Sequence, residues 1–84
     1  MPGRTTTPPL VRAVGHALRA ERERRGWSQE ELCSRSGLDR TYLSGIERGA
    51  RSPTLRSLIR VVEALDIPLS KVVLAAESAS PRSR

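Results

Sequence analysis

The feature that most constrains this chain is a pair of short helical segments, each with its own start and stop signal, separated by three residues. Ser28-Gln29-Glu30-Glu31 is a capping box, in which the serine hydroxyl accepts from the Glu31 amide and the Glu31 side chain reaches back to the Ser28 amide. Gly37 supplies the positive φ that ends the first helix, and Asp39 caps the next one. Helices over about 29–36 and 40–48, joined by Gly37-Leu38-Asp39, predict a helix-turn-helix.

Apolar residues at helical spacing predict three more helices. A first helix runs from about Pro9 to Arg25, a fourth covers about 54–65, and Asp66-Ile67-Pro68 separates it from a short fifth helix that ends at Ala76. With 37% apolar residues and no Phe, the core must be small and aliphatic, which suits short helices better than a sheet sandwich. The expected fold is all-α, a compact five-helix domain with the helix-turn-helix at helices 2 and 3.

A chain of 84 residues has room for one small domain. Residues 1–8 are rich in Pro and Thr, and residues 77–84 are short and polar, so neither segment can build a core. We therefore expect a mobile arm over 1–8, a helix-turn-helix domain over 9–76 and a mobile tail over 77–84.

The charge of the chain favours a polyanionic partner. Fifteen Lys and Arg against nine Asp and Glu give a formal charge of +6, and most of this excess lies in the central segment, residues 19–60. Nucleic acid is the commonest polyanion in a cell.

Several other classes of protein are disfavoured. One Cys and one His allow no internal disulfide and no thiolate metal site. The sequence also offers no nucleophile paired with a general base, as an enzyme would need. We therefore expect no cofactor, metal or small-molecule substrate. No apolar run approaches the roughly 18 residues of a membrane span, and the first residues do not resemble a signal peptide. The expected protein is soluble and cytoplasmic.

Helix 3 has one apolar face and one polar face when its residues are spaced about 100° apart. Leu43, Ile46 and Glu47 share the inner side. The outer side is short, polar and basic, with Gly45 at its middle, where a larger residue would hold a partner surface away. Such a face fits the major groove of DNA, where an arginine can donate two hydrogen bonds to guanine. The predicted base-reading residues are Arg40, the first choice, with Thr41, Tyr42, Ser44 and Arg48.

The neighbouring segments supply donors for phosphates. The start of helix 2, with Ser28 and Gln29, offers free amides and a positive dipole end, and Arg51, Ser52 and Thr54 can act in the same way on the far side. Close crossing of helices 2 and 3 needs small residues, a requirement that Cys33 and Gly37 meet.

The stretch Leu18–Leu65 resembles the Cro/repressor (XRE-type) helix-turn-helix family, in the motifs WSQEEL, SGLDRTYLSGIERG and SPTL. In detail, RTYLSGIERGARSPTL is most similar to the controller proteins of restriction–modification systems, which are dimers that regulate their own operon. The resemblance implies a five-helix repressor-like DNA-binding domain. It also implies operator contacts from Arg40, Thr41, Tyr42, Arg48 and Arg51, phosphate contacts from Gln29 and Thr54, and a structural pair between Glu47 and Arg22. The sequence departs from the family at Cys33, where alanine is usual, and at Glu21, where an apolar residue is usual.

Leu74-Ala75-Ala76 leave helix 5 apolar nearly all round, which favours a buried contact between subunits. A two-fold dimer reads two half-sites about one helical turn apart, and this gives the specificity that one short helix lacks. The chain is therefore predicted to be a homodimeric, sequence-specific transcriptional regulator that binds a palindromic operator in double-stranded DNA. The predicted interface residues are Leu69, Val72, Val73 and Ala76.

Other interpretations stay open. An antitoxin of a toxin–antitoxin pair would also bind its own promoter, and a toxin gene beside this one would favour it, whereas a methyltransferase or endonuclease gene would favour the controller. A protein-interaction module could use the same fold without DNA. Binding to RNA or an anionic membrane is a further alternative, although the basic residues surround helix 3 and do not line one long amphipathic helix.

Overall fold

The computed structural model describes residues 7–79, and within them it contains five α-helices and no strands. The helices are α1 Pro9–Arg24, α2 Gln29–Ser36, α3 Arg40–Glu47, α4 Leu55–Leu65 and α5 Leu69–Ala79. The predicted all-α fold is thus confirmed. No helix among the described residues is long and apolar enough to cross a membrane.

Side-chain caps set the starts of the three middle helices. Ser28, Asp39 and Thr54 each accept a hydrogen bond from the backbone amide three residues on. Gly37 ends α2 at φ 79°, in the left-handed region, which turns the chain directly into α3. Only half of the predicted capping box forms, because the Glu31 carboxylate accepts from Arg35 Nε at 2.6 Å and does not turn back to the Ser28 amide.

The helix ends differ from the predicted ends by a few residues. Arg25 and Arg48 are C-caps and lie just outside α1 and α3, and Thr54 is an N-cap just outside α4. Helix α5 continues to Ala79, so residues 77–79 are helical and not part of a tail. Ala75 and Ala79 line a shallow groove between α5 and α1, together with Ala13 and Ala17. The predictions for residues 1–6 and 80–84 lie outside the described residues.

The core is built from all five helices. Leu18, Leu32, Leu43, Val61 and Leu65 are among its fully buried residues, and α1 packs along α5 and across α3. From α5, Val72 and Ala76 are only 1% exposed. Both were predicted at a dimer interface, and the monomer core already buries them, so the proposed interface below does not use them.

The unusual glutamate of α1 lies in a charged cluster between α1 and α5. Glu21 is buried, and its carboxylate contacts Arg25 at 2.9 Å, Arg24 at 3.5 Å and Lys71 of α5 at 3.5 Å. Burial by itself would raise the pKa of Glu21, but the Arg25 hydrogen bond and the neighbouring charges outweigh it and lower that pKa. Arg25 also donates to the Leu65 carbonyl at 2.7 Å, so the cluster ties α1 to the end of α4 as well.

The backbones of α1 and α3 come into close contact at Gly15. A Cβ at this position would overlap the carbonyl of Ile46, so only glycine lets α1 lie directly against α3. This contact sets the distance between α1 and α3. The spacing of apolar residues in the sequence does not predict it.

We predict that Gly15→Ala destabilises the protein by about 1–3 kcal/mol, since α1 must move away from α3. Helix propensity alone predicts the opposite sign, because alanine favours a helix interior over glycine by about 1 kcal/mol. Urea unfolding measures the change. Ala20→Gly, at an exposed position of the same helix, is the matched control and should cost about 0.5–1 kcal/mol. A stabilised Gly15→Ala variant would contradict the close contact.

Candidate nucleic-acid interface

A buried ion pair fixes α3 relative to α1 and α2. Arg22 of α1 donates from Nε to Glu47 Oε2 at 2.8 Å and from Nη2 to Oε1 at 2.9 Å, which is the pair that the resemblance implied. Gln29 of α2 donates to the same Oε1 at 2.9 Å, and Arg22 Nη1 donates to the Trp27 carbonyl at 2.6 Å. The hydrogen bond to Glu47 raises the pKa of Arg22. The carboxylate of Glu47, the last residue of α3, is therefore hydrogen-bonded both to α1, through Arg22, and to the first residue of α2, Gln29.

The outer face of α3 presents most of the predicted base-reading residues together. Arg40, Thr41, Ser44 and Arg48 line one shallow depression of about 240 Å³. Arg40 lies 3.2 Å from Glu30 of α2, and both side chains are more than half exposed. Exposed pairs of this kind contribute little to stability, so a guanine or phosphate can replace Glu30 as the partner of Arg40 at small cost.

Gly45 does not belong to this outer face. It is buried, and a Cβ there would overlap Cγ of Arg51, whose chain returns across α3 from the loop after it. The Gly45 carbonyl also accepts from the amides of Ala50 and Arg51, at 2.8 and 3.1 Å. The expectation that this glycine admits a partner surface was wrong, since the space is filled by the Arg51 side chain.

Tyr42 connects α3 to the start of α4. Its ring lies under the Arg51 guanidinium, whose Cζ is 5.1 Å from the ring centre. Its hydroxyl accepts from the Thr54 amide at 3.1 Å and shares a hydrogen bond with Ser57 Oγ at 3.0 Å. The Ser57 hydrogen bond, the Thr54 amide and the Arg51 charge together lower the pKa of Tyr42. Tyr42 is thus half-buried, held by its bonds to the start of α4, and lies outside the depression that contains Arg40.

The predicted phosphate-binding residues fall into two groups. Ser28 and Gln29 lie at the exposed start of α2, where the Ser28 hydroxyl and the second N–H of the Gln29 amide are still able to donate. Arg51 and Ser52 are exposed on the loop before α4. Thr54 differs, because its hydroxyl donates to Ser57 Oγ and accepts from the Ser57 amide, both at 3.0 Å. A phosphate contact from its side chain would disrupt this cap.

The small residues of the turn have separate structural roles. Gly37 and Asp39 end α2 and begin α3, as described above. Cys33 is half-buried against the core, and burial raises the pKa of its thiol, with the Asp39 charge adding to the effect. The thiolate is therefore disfavoured at neutral pH. Within residues 7–79, no three His, Cys, Asp or Glu side chains come together as a metal site would require.

Ion pairing divides the arginines into two regions. Of the ten arginines between residues 19 and 60, six have a carboxylate partner. These six are the first in the chain, from Arg19 to Arg40 at the start of α3. Among the described residues, the other four have no carboxylate at ion-pair distance; these are Arg48, Arg51, Arg56 and Arg60. The net positive charge is therefore concentrated on the end of α3, the following loop and α4.

Arg56 and Arg60 were missed by the sequence reasoning. They lie one helical turn apart on α4, and the segment from Arg48 to Arg60 contains no acidic residue. This absence of acidic residues could have indicated a basic surface on α4. It was not noticed because the charge was summed over the longer segment 19–60.

We predict that Glu47→Ala lowers the free energy of unfolding by about 3–5 kcal/mol, because it leaves the Arg22 guanidinium buried without its partner. Denaturant unfolding followed by circular dichroism measures it. Glu31→Ala is the matched control: it removes the surface partner of Arg35 and should cost less than about 1 kcal/mol. Equal losses in the two variants would show that the buried pair has no special role.

Comparisons with known proteins agree with this architecture. A helix-turn-helix family model matches residues 18–72. The HTH-type transcriptional regulator y4dL of Sinorhizobium fredii is 46% identical over 71 residues, which are 84% of this chain and 35% of the relative. SutR, an HTH-type transcriptional regulator of Escherichia coli, is 33% identical over 86% of this chain and 40% of its own length. The chain thus spans well under half the length of these curated relatives.

Two solved structures also share the fold. The restriction-modification controller protein C.AhdI of Aeromonas hydrophila is 43% identical and superimposes with a TM-score of 0.70, over 75% of this chain and 94% of that one. The clp gene regulator ClgR of Corynebacterium glutamicum is 32% identical with a TM-score of 0.83, over 90% of this chain and 99% of that one. Because the family model matches well over half of the chain, the protein belongs to the helix-turn-helix family of the Cro/repressor (XRE) type.

Proposed function

We propose that this protein is a sequence-specific DNA-binding transcriptional regulator that inserts α3 into the major groove. The observation that carries the proposal is the single exposed depression formed by Arg40, Thr41, Ser44 and Arg48 on the outer face of α3. Their guanidinium and hydroxyl groups match the acceptors and methyl groups of base edges. Arg40 stands first on the helix, where side chains reach deepest into the groove.

Phosphate contacts on both sides of α3 would hold the helix in register. The start of α2 offers the Ser28 hydroxyl, the Gln29 amide and the free backbone amides of a helix beginning. On the other side, Arg51 and Ser52 are exposed on the loop before α4, and the Arg51 guanidinium has no carboxylate partner among the described residues. Contacts of this kind position a protein on DNA, and base contacts from α3 then select the sequence.

We propose that the protein acts as a homodimer, with α4 contributing to the interface. Leu55 is 64% exposed and Ile59 is 39% exposed, and they lie one turn apart on the same side of α4. On α5, Leu74 is exposed, whereas Leu69 and Val73 are only half-buried and remain available. Burial of these side chains against a second copy removes apolar surface from water. A dimer would also present two copies of α3 to a palindromic operator.

Two solved structures suggest which genes the protein regulates. The 43% identity with a restriction-modification controller protein supports a controller of a restriction–modification operon, acting in the cytoplasm on its own promoter. The likeness to ClgR, a clp gene regulator that is 32% identical, is the ground for the alternative, a regulator of other genes on the same fold. Both roles use the same α3 surface.

We predict that Arg40→Ala weakens binding to a duplex recovered by binding-site selection by about 1–3 kcal/mol and relaxes the preference at one base position. The reason is loss of the hydrogen bonds from its guanidinium to a base edge. Fluorescence anisotropy on the selected duplex and on random-sequence duplexes measures both effects.

Arg51→Ala is the matched comparison, because it removes the same charge from a side chain assigned to phosphate. It should weaken binding to selected and random duplexes alike. Equal losses on both duplexes for Arg40→Ala would contradict its base-reading role, and the absence of any binding to duplex DNA by the native protein would contradict the proposed function.

We predict that Ile59→Glu shifts the protein towards monomer, because it places a charge in the proposed interface. Sedimentation velocity over a concentration series measures the shift. Leu10→Glu is the matched control, since Leu10 is 41% exposed on α1 and lies outside the proposed interface. A native protein that sediments as a monomer at all concentrations, with and without DNA, would contradict the dimer.

A further inference from the structure

Two arginines on α4 form a basic pair that the proposed contacts do not use. Arg56 and Arg60 are exposed and lie one helical turn apart. The nearest acidic residue at helical spacing is Glu63, three residues after Arg60, yet no carboxylate among residues 7–79 lies at ion-pair distance from either guanidinium. Two like charges at this spacing repel each other, and an anion between them relieves the repulsion.

The pair borders a concave surface beside the helix-turn-helix. A groove of about 340 Å³ runs between α4 and the turn from Gly37 to Asp39, with Arg56 and Arg60 on one wall. Nη1 of Arg60 lies 3.4 Å from the position that a Cβ of Gly37 would occupy, so the guanidinium reaches across to the turn itself. Asp39 is the acidic residue of this groove, and its carboxylate accepts from the Tyr42 amide as the cap of α3.

The two arginines lie on the flank of α4 next to the surface assigned to dimerisation. Each follows an exposed apolar residue of α4, Leu55 or Ile59, and successive residues of a helix point about 100° apart. Helix α4 therefore has an apolar flank and an adjacent basic flank, and a dimer contact centred on Leu55 and Ile59 leaves Arg60, the arginine farther round the helix, open.

We propose that Arg56 and Arg60 bind a DNA backbone phosphate and anchor the duplex beside the first turn of α3. This inference rests on the proposed insertion of α3 into the major groove. The groove contains Asp39 and Tyr42, which belong to the N-terminal end of α3, so phosphates that flank this end in the complex pass next to the basic pair. Two unpaired guanidinium groups at a concave surface are suited to a phosphate, which accepts hydrogen bonds from both.

The test uses Arg56→Gln and Arg60→Gln in the full chain, with Arg19→Gln as the matched control. Arg19 is exposed and lies on α1, so its loss changes the net charge equally without touching the groove. Binding to random-sequence duplexes and to a selected duplex is measured over a salt series. Thermal unfolding of each variant shows whether the fold is kept.

Each groove variant should weaken binding to both kinds of duplex at low salt by about three- to tenfold, and reduce the salt slope by about 0.9. The Arg19→Gln variant should change neither by more than a fraction of this. In ethylation interference, the phosphate bound by the pair should block the native protein but no longer affect the Arg60→Gln variant, while the phosphates assigned to the start of α2 should still block both.

Groove variants that match Arg19→Gln in affinity and slope would overturn the inference. Unchanged DNA binding combined with lost regulation of a reporter promoter would also overturn it, and would assign the pair to an acidic protein partner. A native protein that ignores duplex DNA would instead refute the proposed function. If Arg40→Ala loses base preference while the groove variants bind normally, only the phosphate anchor fails.

Discussion

The buried ion pair between Arg22 and Glu47 is the constraint on which the rest of the structure depends. Glu47 is the last residue of α3, and its two carboxylate oxygens accept from α1 through Arg22 and from α2 through Gln29. The cost of burying these charges is offset only while every partner is in place. The geometry is thus specified at both ends of α3, since the Asp39 cap holds its start, and the polar face is held outward without contributing to the core.

The pairing of charges also determines where the outer surface is positive. The arginines from Arg19 to Arg35 are paired with glutamates, as in the pairs of Arg19 with Glu23 and Arg35 with Glu31. Between Arg48 and Arg60 there is no acidic residue, and the guanidinium groups of the loop and α4 have no carboxylate at ion-pair distance among the described residues. A small domain can in this way carry a directed positive field while its helices remain stabilised by local ion pairs.

Local signals in the sequence predicted much of this arrangement. Caps and stop residues depend on a few neighbouring positions, so Ser28, Gly37 and Asp39 marked the helix-turn-helix correctly. Contacts between distant segments were harder to predict: Gly15 is small because Ile46 crosses it, and Gly45 because Arg51 returns over it. Helix 5 is apolar on nearly every side, so its pattern could not tell the core-facing residues from those left for a partner.

The most direct test of the central claim, that the outer face of α3 meets DNA, is to map amide chemical shifts by NMR during titration with a selected duplex. If α3 enters the major groove, the largest changes fall on Arg40, Thr41 and Ser44 and on the start of α2, with small changes at exposed residues of α1 such as His16. Large changes confined to the groove between α1 and α5, with the amides of α3 unmoved, would contradict it.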